Sequence, residues 1–417
     1  MANSSISKFH EKTRDERIKI VESFASLSKE DVAILKGNGG ITFDHANNMV
    51  ENAIGTISFP LGIATNFKIN GKDYLVPMAI EEPSVIAAAS KAAKIARKRG
   101  GFVMKADESY SIGQIQVVGV NPKASIPKII KATDEILRLA NSKSKTLSKM
   151  GKGAKKISCK ELKTKSGKML VVEILIDVGN AMGANVTNTM CEGVAPLIEK
   201  ITGGKVILRI LSNYSTKRLV KGKAIFDKDE LGGKEIVDNI ILAYQFAAND
   251  PYRAVTHNKG IMNGIIAVAN STGQDTRAIE AAAHAYASRN GKYTSLTGWK
   301  KDKSGNLVGE IEVPMSVGIV GGIVNVHPMI EVCNKILGVK SAKELSCVIG
   351  AVGLAQNLSA IRALASEGIQ KGHMKLHAKN IASSAGVPKS KVDEVILRMI
   401  LEGNISITRA KEILKNL

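Results

Sequence analysis

The sequence predicts an α+β protein: a large, mostly helical part made from both chain ends, a smaller α/β module inserted into it, and a helical C-terminal unit. Three observations lead there. Apolar residues recur at helical spacing near the N-terminus and again from residue 230 onward. Between about 109 and 212, strand-like runs alternate with helical ones. The tail from about 367 is Lys-rich, helical and interrupted by AGVP (Ala385 to Pro388). The expected boundaries are 1–108 and 213–366 for the large part, 109–212 for the insert and 367–417 for the tail.

The elements follow in order. Residues 11–35 place Ile18, Ile20, Val21, Phe24, Leu27, Val32, Ile34 and Leu35 on a helical stripe that ends at KGNGG. A second helix is expected over 43–54, then a β-rich region over 55–80. SVIAAASKAAKIARKRGG reads as a helix with an alanine face, closed by Gly100 and Gly101. In the insert, Ile112 to Val120 alternates like a strand and PKIIKATDEILRLANSK is an amphipathic helix. KMLVVEILIDV and KVILRILS are strands, with a glycine-containing turn and a helix between them. That turn suits phosphate, but the insert has no G-x-G-x-x-G and is not an ordinary Rossmann unit. Further on, EIVDNIILAYQFAAND and DTRAIEAAAHAYASRNG are helices, and KSGN turns a hairpin ending in VGEIEVPM.

Composition narrows the function. With 417 residues and 44% hydrophobic content the chain can bury a sizeable core. Aromatics are only 4%, which favours close packing of small side chains. Cys159, Cys191, Cys333 and Cys347 lie far apart, as free thiols in a reducing cytoplasm and not as a disulfide frame or metal site. No apolar run approaches the roughly 18–20 residues of a membrane span, and the polar N-terminus lacks a signal-peptide core. The net charge of +21 comes from 59 basic and 38 acidic residues. The lysines are interleaved with acids, and the one tryptophan, Trp299, offers little stacking surface. Nucleic acid is therefore not expected as a partner, whereas polyphosphate ligands are compatible with the charge.

Some segments carry chemistry. Glu81 and Glu82 lead through Pro83 into an apolar helix start, where partial desolvation would raise a carboxyl pKa and suit it to proton donation; acids at a helix N-terminus are the plain alternative. In THNKG, Lys259 is a solvated loop lysine or a cation set among His257, Asn258 and Asn263. Asp275, ahead of TRAIEAAAHAYA, is a natural helix N-cap. His373 and His377 form H-x-x-x-H, but no glutamate follows His373 as in zinc sites of the H-E-x-x-H kind, so no metal is expected.

ENAIGTISFPLGIATNFKINGKDYLVPMAIEEPSVIAAAS (Glu51 to Ser90), NAMGANVTNTM (Asn180 to Met190), DPYRAVTHNKGIMNG (Asp250 to Gly264), GQDTRAIEAAAHAYA (Gly273 to Ala287), PMSVGIVGG (Pro314 to Gly322) and EGIQKGHMKLHAKN (Glu367 to Asn380) occur in one order over nearly the whole chain. Together they closely resemble the class II 3-hydroxy-3-methylglutaryl-CoA (HMG-CoA) reductases of bacteria and archaea. The resemblance implies a two-step, four-electron reduction of HMG-CoA to mevalonate and coenzyme A, in isoprenoid biosynthesis. It makes the large part a substrate domain and the insert a cofactor-binding domain, with a mobile C-terminal flap.

It also implies roles for residues. Lys259 would be the cation at the thioester oxyanion. Glu82 would protonate the aldehyde oxygen, with Glu81 a neighbour, and Asp275 would join Lys259 and Glu82 in one hydrogen-bonded cluster. His373 would give a proton to the departing thiolate. Ser84, Arg253, Asn263 and Asn213 would surround the hydroxymethylglutaryl group, Arg253 as a bidentate partner for its carboxylate. Met182, Gly183, Ala184 and Asn185 would meet the dinucleotide pyrophosphate.

Two departures stand out. Asn180 occupies the place of the acid that usually precedes AMGAN. Ser144, beside Lys143, Lys145 and Lys149, replaces the aspartate of NADH-preferring relatives, which favours NADPH over NADH. The resemblance further implies a cytoplasmic homodimer with a shared active site, or a trimer of dimers. Oxidation of mevalonate and a non-catalytic CoA- or nucleotide-binding role are the rivals; the complete set Glu82, Lys259, Asp275 and His373 argues against the second.

Overall fold

The computed structural model describes residues 3–37, 40–366 and 378–417. The chain starts with three short helices, α1 (Arg14–Ala25), α2 (Lys29–Lys36) and α3 (Phe43–Met49). The single helical stretch expected over 11–35 is broken because Ser26 turns left-handed and Ser28 opens the next helix in a capping box with Asp31. The expected 43–54 helix stops at Met49, where Val50 becomes extended.

Strands β1 (Leu61–Ile69) and β2 (Lys72–Ala79) form a hairpin, followed by α4 (Val85–Arg97) and β3 (Phe102–Ala106). The chain then leaves for β4 (Tyr110–Val118), α5 (Pro122–Lys131), α6 (Thr133–Ser142), α7 (Lys145–Lys149), β5 (Gly153–Thr164), β6 (Gly167–Asp177), α8 (Ala184–Thr202) and β7 (Lys205–Ser212). It returns with β8 (Leu219–Phe226), α9 (Lys228–Leu231), α10 (Lys234–Asn249), α11 (Pro251–Ser271), α12 (Thr276–Ala287), β9 (Thr297–Lys301), β10 (Leu307–Pro314), α13 (Pro328–Leu337) and α14 (Ala342–Ala365). Helices at 378–384, Val392–Leu401 and Ile407–Lys415 close the described chain.

The first sheet has the order β2-β1-β3-β8-β10-β9, so strands from before and after the 110–212 stretch lie side by side, with β3 antiparallel to β8. Four aromatic residues pack in a row here: Phe67, Phe102, Phe226 and Trp299 follow one another at centroid separations of 5.6, 6.3 and 5.8 Å. Helix α14 fills the same core. Its 24 residues are long and apolar enough to span a membrane, contrary to the sequence expectation, but 72% of its apolar window is buried inside the fold. Its greasiness is that of a core helix, surrounded by sheet and helices.

The second sheet, β5-β6-β4-β7, has a separate core. Leu170, Val172, Ile174 and Ile176 of β6 pack with Met190, Cys191, Val194 and Ile198 of α8 and with Ile129 and Ile136 of α5 and α6. Each such side chain contributes about 1.5–3 kcal/mol over an exposed one. The expected 127–143 helix is two helices meeting at Ala132, and β5 was not anticipated. A third cluster, with Ala378, Ala382, Val395, Met399 and Ile413, belongs to the C-terminal helices.

Candidate active site

Helix α11 is the first positioning element. Asp250 caps it by accepting from the Arg253 N–H at 2.8 Å, and Pro251 stands at its first position, where a missing N–H costs nothing. Near its C-terminus, Ser271 Oγ donates to the Pro77 carbonyl (2.8 Å) and Asn270 Nδ2 to the Ala79 carbonyl (3.2 Å). These bonds tie α11 to the end of β2, three residues before Glu82. Lys259 is therefore on a helix and not in the loop that THNKG had suggested. The Asp-Pro step at 250–251 was the sequence signal for that helix.

One helical turn separates Lys259 from Asn263, so both reach the same carboxyl oxygen. Lys259 Nζ lies 2.7 Å from Glu82 Oε2, and Asn263 Nδ2 donates to that atom at 3.1 Å. The Lys259 side chain is 60% exposed and that of Glu82 35%. The desolvated acid pair expected at the start of α4 is not what forms: Glu81 is exposed, and Glu82 is half-buried and ion-paired with Lys259. Ser84 takes the N-cap place of α4 with φ 72°, in the left-handed region, and its side chain makes no capping bond. A non-glycine residue held there costs on the order of 1–2 kcal/mol, the kind of strain that gathers at ligand sites.

Arg253 is half-buried near the start of α11, and burial pulls its pKa down. One turn on, His257 is buried and shares a 2.8 Å hydrogen bond between its Nε2 and Thr297 Oγ1. Burial, with the Arg253 charge adding to it, pushes His257 down to about 4, so it is neutral at physiological pH.

Asp275 is elsewhere. It caps α12 by accepting from the Ala278 N–H at 3.1 Å and pairs with Arg277 at 3.2 Å. No hydrogen bond or ion pair joins it to Lys259 or Glu82, both of which are described. The preceding Gln274 is bonded to Ala269 near the end of α11, ten residues from Lys259, or about 15 Å along the axis. The three-residue cluster implied by resemblance is thus not assembled within one chain. His373 lies outside the described residues. Asn213 is exposed just after β7.

The second positioning element is the turn between β6 and α8. Gly183 has φ 106°, and a Cβ there would fall 2.7 Å from Val178 Cγ1, so only glycine fits. No side chain caps α8, which leaves its first N–H groups free to meet an anion. Ala184 is half-buried and Asn185 exposed at that entrance. Asn180 accepts from the Ala342 N–H at 3.1 Å through Oδ1, and its carbonyl accepts from Ile319 at 2.9 Å. A neutral amide thus does the docking work that an acid would do at the start of α14. Ser144 caps α7 through a long 3.4 Å bond from the Leu147 N–H, and Lys143, Lys145 and Lys149 around it are exposed.

The family model described as hydroxymethylglutaryl-coenzyme A reductase matches residues 13–378. The chain belongs to this family. It is 53% identical to the 3-hydroxy-3-methylglutaryl-coenzyme A reductase of Archaeoglobus fulgidus over 416 residues, covering 100% of this chain and 95% of that protein. It is 36% identical to a probable member from Borreliella burgdorferi, covering 98% and 95%. Among solved structures, the Streptococcus pneumoniae reductase superposes with a TM-score of 0.85 at 41% identity, covering 98% of this chain and 99% of that one. The class II enzyme of the same organism, bound to NADPH in open conformations, gives 0.83 at 41% identity, covering 97% and 99%. As a member the chain is an oxidoreductase that reduces HMG-CoA to mevalonate, in the isoprenoid pathway.

Proposed function

We propose that Glu82, Lys259 and Asn263 form the reacting corner of this reductase, with NADPH as the preferred reductant. The single observation carrying this is the shared carboxyl oxygen of Glu82, held at 2.7 Å by an ammonium and at 3.1 Å by an amide. A thioester carbonyl drawn into that corner develops negative charge as it is reduced, and the Lys259 ammonium is the group that stabilises it. Glu82, hydrogen-bonded to Lys259, takes up a proton from solvent ahead of the second reduction and gives it to the aldehyde oxygen. Arg253 and the strained Ser84 hold the carboxylate end of the substrate, with Asn213 joining from the loop after β7. His373 delivers the proton that keeps the departing thiolate from re-adding.

The nicotinamide, when bound, supplies hydride. The turn at Met182 to Asn185 fits a dinucleotide: Gly183 leaves room for close backbone approach, and the uncapped N–H groups of α8 suit a pyrophosphate. Ser144 with its three exposed lysines would attract a 2′-phosphate that an aspartate would repel. In this reading residues 109–212 are the cofactor-binding domain and 367–417 the flap that closes over the site. Comparing kcat/KM for NADPH and NADH tests the preference; a marked NADH preference refutes it. Ser144→Asp should shift the ratio toward NADH.

We also propose a homodimer in which each site is shared, assembling further as a trimer of dimers. The extended segment after α3 leaves Ile54 99% and Ile57 89% exposed, and Tyr252 and Val255 stand out from α11 near the reacting corner. Asp275, far along α11 from the Lys259 of its own chain, would then serve the Lys259 of the partner. Mixing inactive Lys259→Ala with inactive Asp275→Asn should restore about a quarter of wild-type activity, since half the dimers are mixed and each keeps one intact site. Recovery of no activity from verified heterodimers would refute the sharing. A cytoplasmic location is part of the same reading, supported by the four free thiols and by the burial of α14.

A further inference from the structure

Just ahead of β8, Arg218 is only 3% exposed. Its Nη1 donates to the Met182 carbonyl at 3.0 Å, and its Nη2 donates to the carbonyls of Ala181 (3.2 Å) and Val317. Among the described residues no carboxylate bonds to it. Asp177 acts on it through space but is itself paired with Lys152 at 2.8 Å. Burying a guanidinium against carbonyls alone is costly, and an apolar side chain in its place would leave those carbonyls unpaired. The three carbonyls belong to two segments brought together at the turn before α8.

Those segments are bonded further. Ala181 bridges to Val320, and the Arg218 carbonyl accepts from the Met315 N–H at 2.9 Å. Gly318 lies beneath the turn so closely that a Cβ would fall 2.4 Å from Met182 N. The Gln274 side chain brackets Gly318 with two bonds, 2.8 and 2.9 Å, one residue before Asp275. In a trans peptide the carbonyl and the following N–H point in opposite directions. Holding the Met182 carbonyl therefore turns the Gly183 N–H away from the guanidinium.

We propose that Arg218 is a positioning residue for the dinucleotide: it fixes the two carbonyls that aim the Gly183 turn, and its charge beneath that turn complements a polyphosphate. This rests on the reading that the Met182–Asn185 turn takes the cofactor. The Val317–Val320 segment and Gln274 carry the same alignment on to Asp275.

The test uses the full-length protein and its Arg218→Lys, Arg218→Met, Gly318→Ala and Gly183→Ala variants. NADPH dissociation constants, KM values for NADPH and HMG-CoA, and thermal unfolding are measured for each. Arg218→Lys keeps the charge but loses the fork, and should raise the NADPH KM and Kd about 10-fold with the HMG-CoA KM within about twofold. Arg218→Met should exceed that effect, or fail to fold. Gly318→Ala, which presses on the turn with Arg218 intact, should give the same NADPH-selective defect. Arg218→Lys binding NADPH as the wild type does, or losing both affinities only in step with folded fraction, overturns the proposal. If Gly183→Ala weakens NADPH binding while Arg218→Lys does not, the Arg218 inference alone fails. If Gly183→Ala leaves binding unchanged, the turn is not the cofactor site and the underlying reading fails with it.

Discussion

The corner at Glu82 and the turn at Gly183 are built in opposite ways. At the corner, side chains do everything: a lysine side chain 60% exposed and a glutamate side chain 35% exposed share an ion pair at the surface. At the turn, the first N–H groups of α8 are left uncapped and a buried guanidinium holds the backbone carbonyls from behind. The corner is thus tunable but incomplete until something covers it, since exposed ion pairs in water are worth little. The turn is complete in one chain, and its cost is already met by the fold. In the proposed reading a dinucleotide docks on a preformed surface, whereas thioester chemistry waits for a cover that excludes water.

Breaking the corner should abolish chemistry and leave the fold intact. Lys259→Ala is expected to lower kcat on the order of 10²–10³-fold, as for loss of one oxyanion donor, with the melting temperature nearly unchanged. A large loss of stability instead would move Lys259 from chemistry to structure. Breaking the turn should cost the fold as well as binding. Gly183→Ala forces a left-handed alanine against Val178 and should cost about 1–3 kcal/mol of stability, read from denaturant midpoints, along with NADPH affinity.

A smaller effect sharpens the comparison through pH. The folded pKa of His257 is depressed to about 4 from an ordinary 6.5, so the unfolded chain takes up its proton first. Stability should therefore fall as pH drops from about 6.5 through about 4, by up to about 3 kcal/mol from this group. His257→Gln should flatten that limb of a urea-midpoint profile; an unchanged slope would mean that other groups set it. Smallest of all, thiol reagents should react slowly with native protein, because burial pushes Cys191 and Cys333 up to about 12 and Cys347 up to about 11.

Much of this was legible from residue order. KVILRILS is a strand over Lys205–Ser212, as its β-branched and leucine run predicted, and EIVDNIILAYQFAAND is a helix shifted by one residue at each end. DKSGN turns the hairpin between β9 and β10. The misses have local causes. Ser26 and Ala132 break helices whose apolar stripes run on past the break, because a stripe records which face is buried and not where the backbone turns. THNKG looked like a loop for its polarity, yet it is helical: Lys259 reaches Glu82, His257 and Asn258 are buried and bonded to the 294–297 segment, and Ile261, Met262 and Ile265 enter the core.

By itself the sequence determined the residue types of the site, the α+β class and the family, since these depend on local spacing and on blocks in a fixed order. Only the tertiary structure decided which of those residues meet. Lys259 finds Glu82 across 177 positions because α11 is bonded to β2, and it does not find Asp275, 16 positions away, because a rigid helix separates them. Arg218 was invisible in one dimension for the same reason: its partners are backbone carbonyls, which every residue carries and no sequence pattern marks.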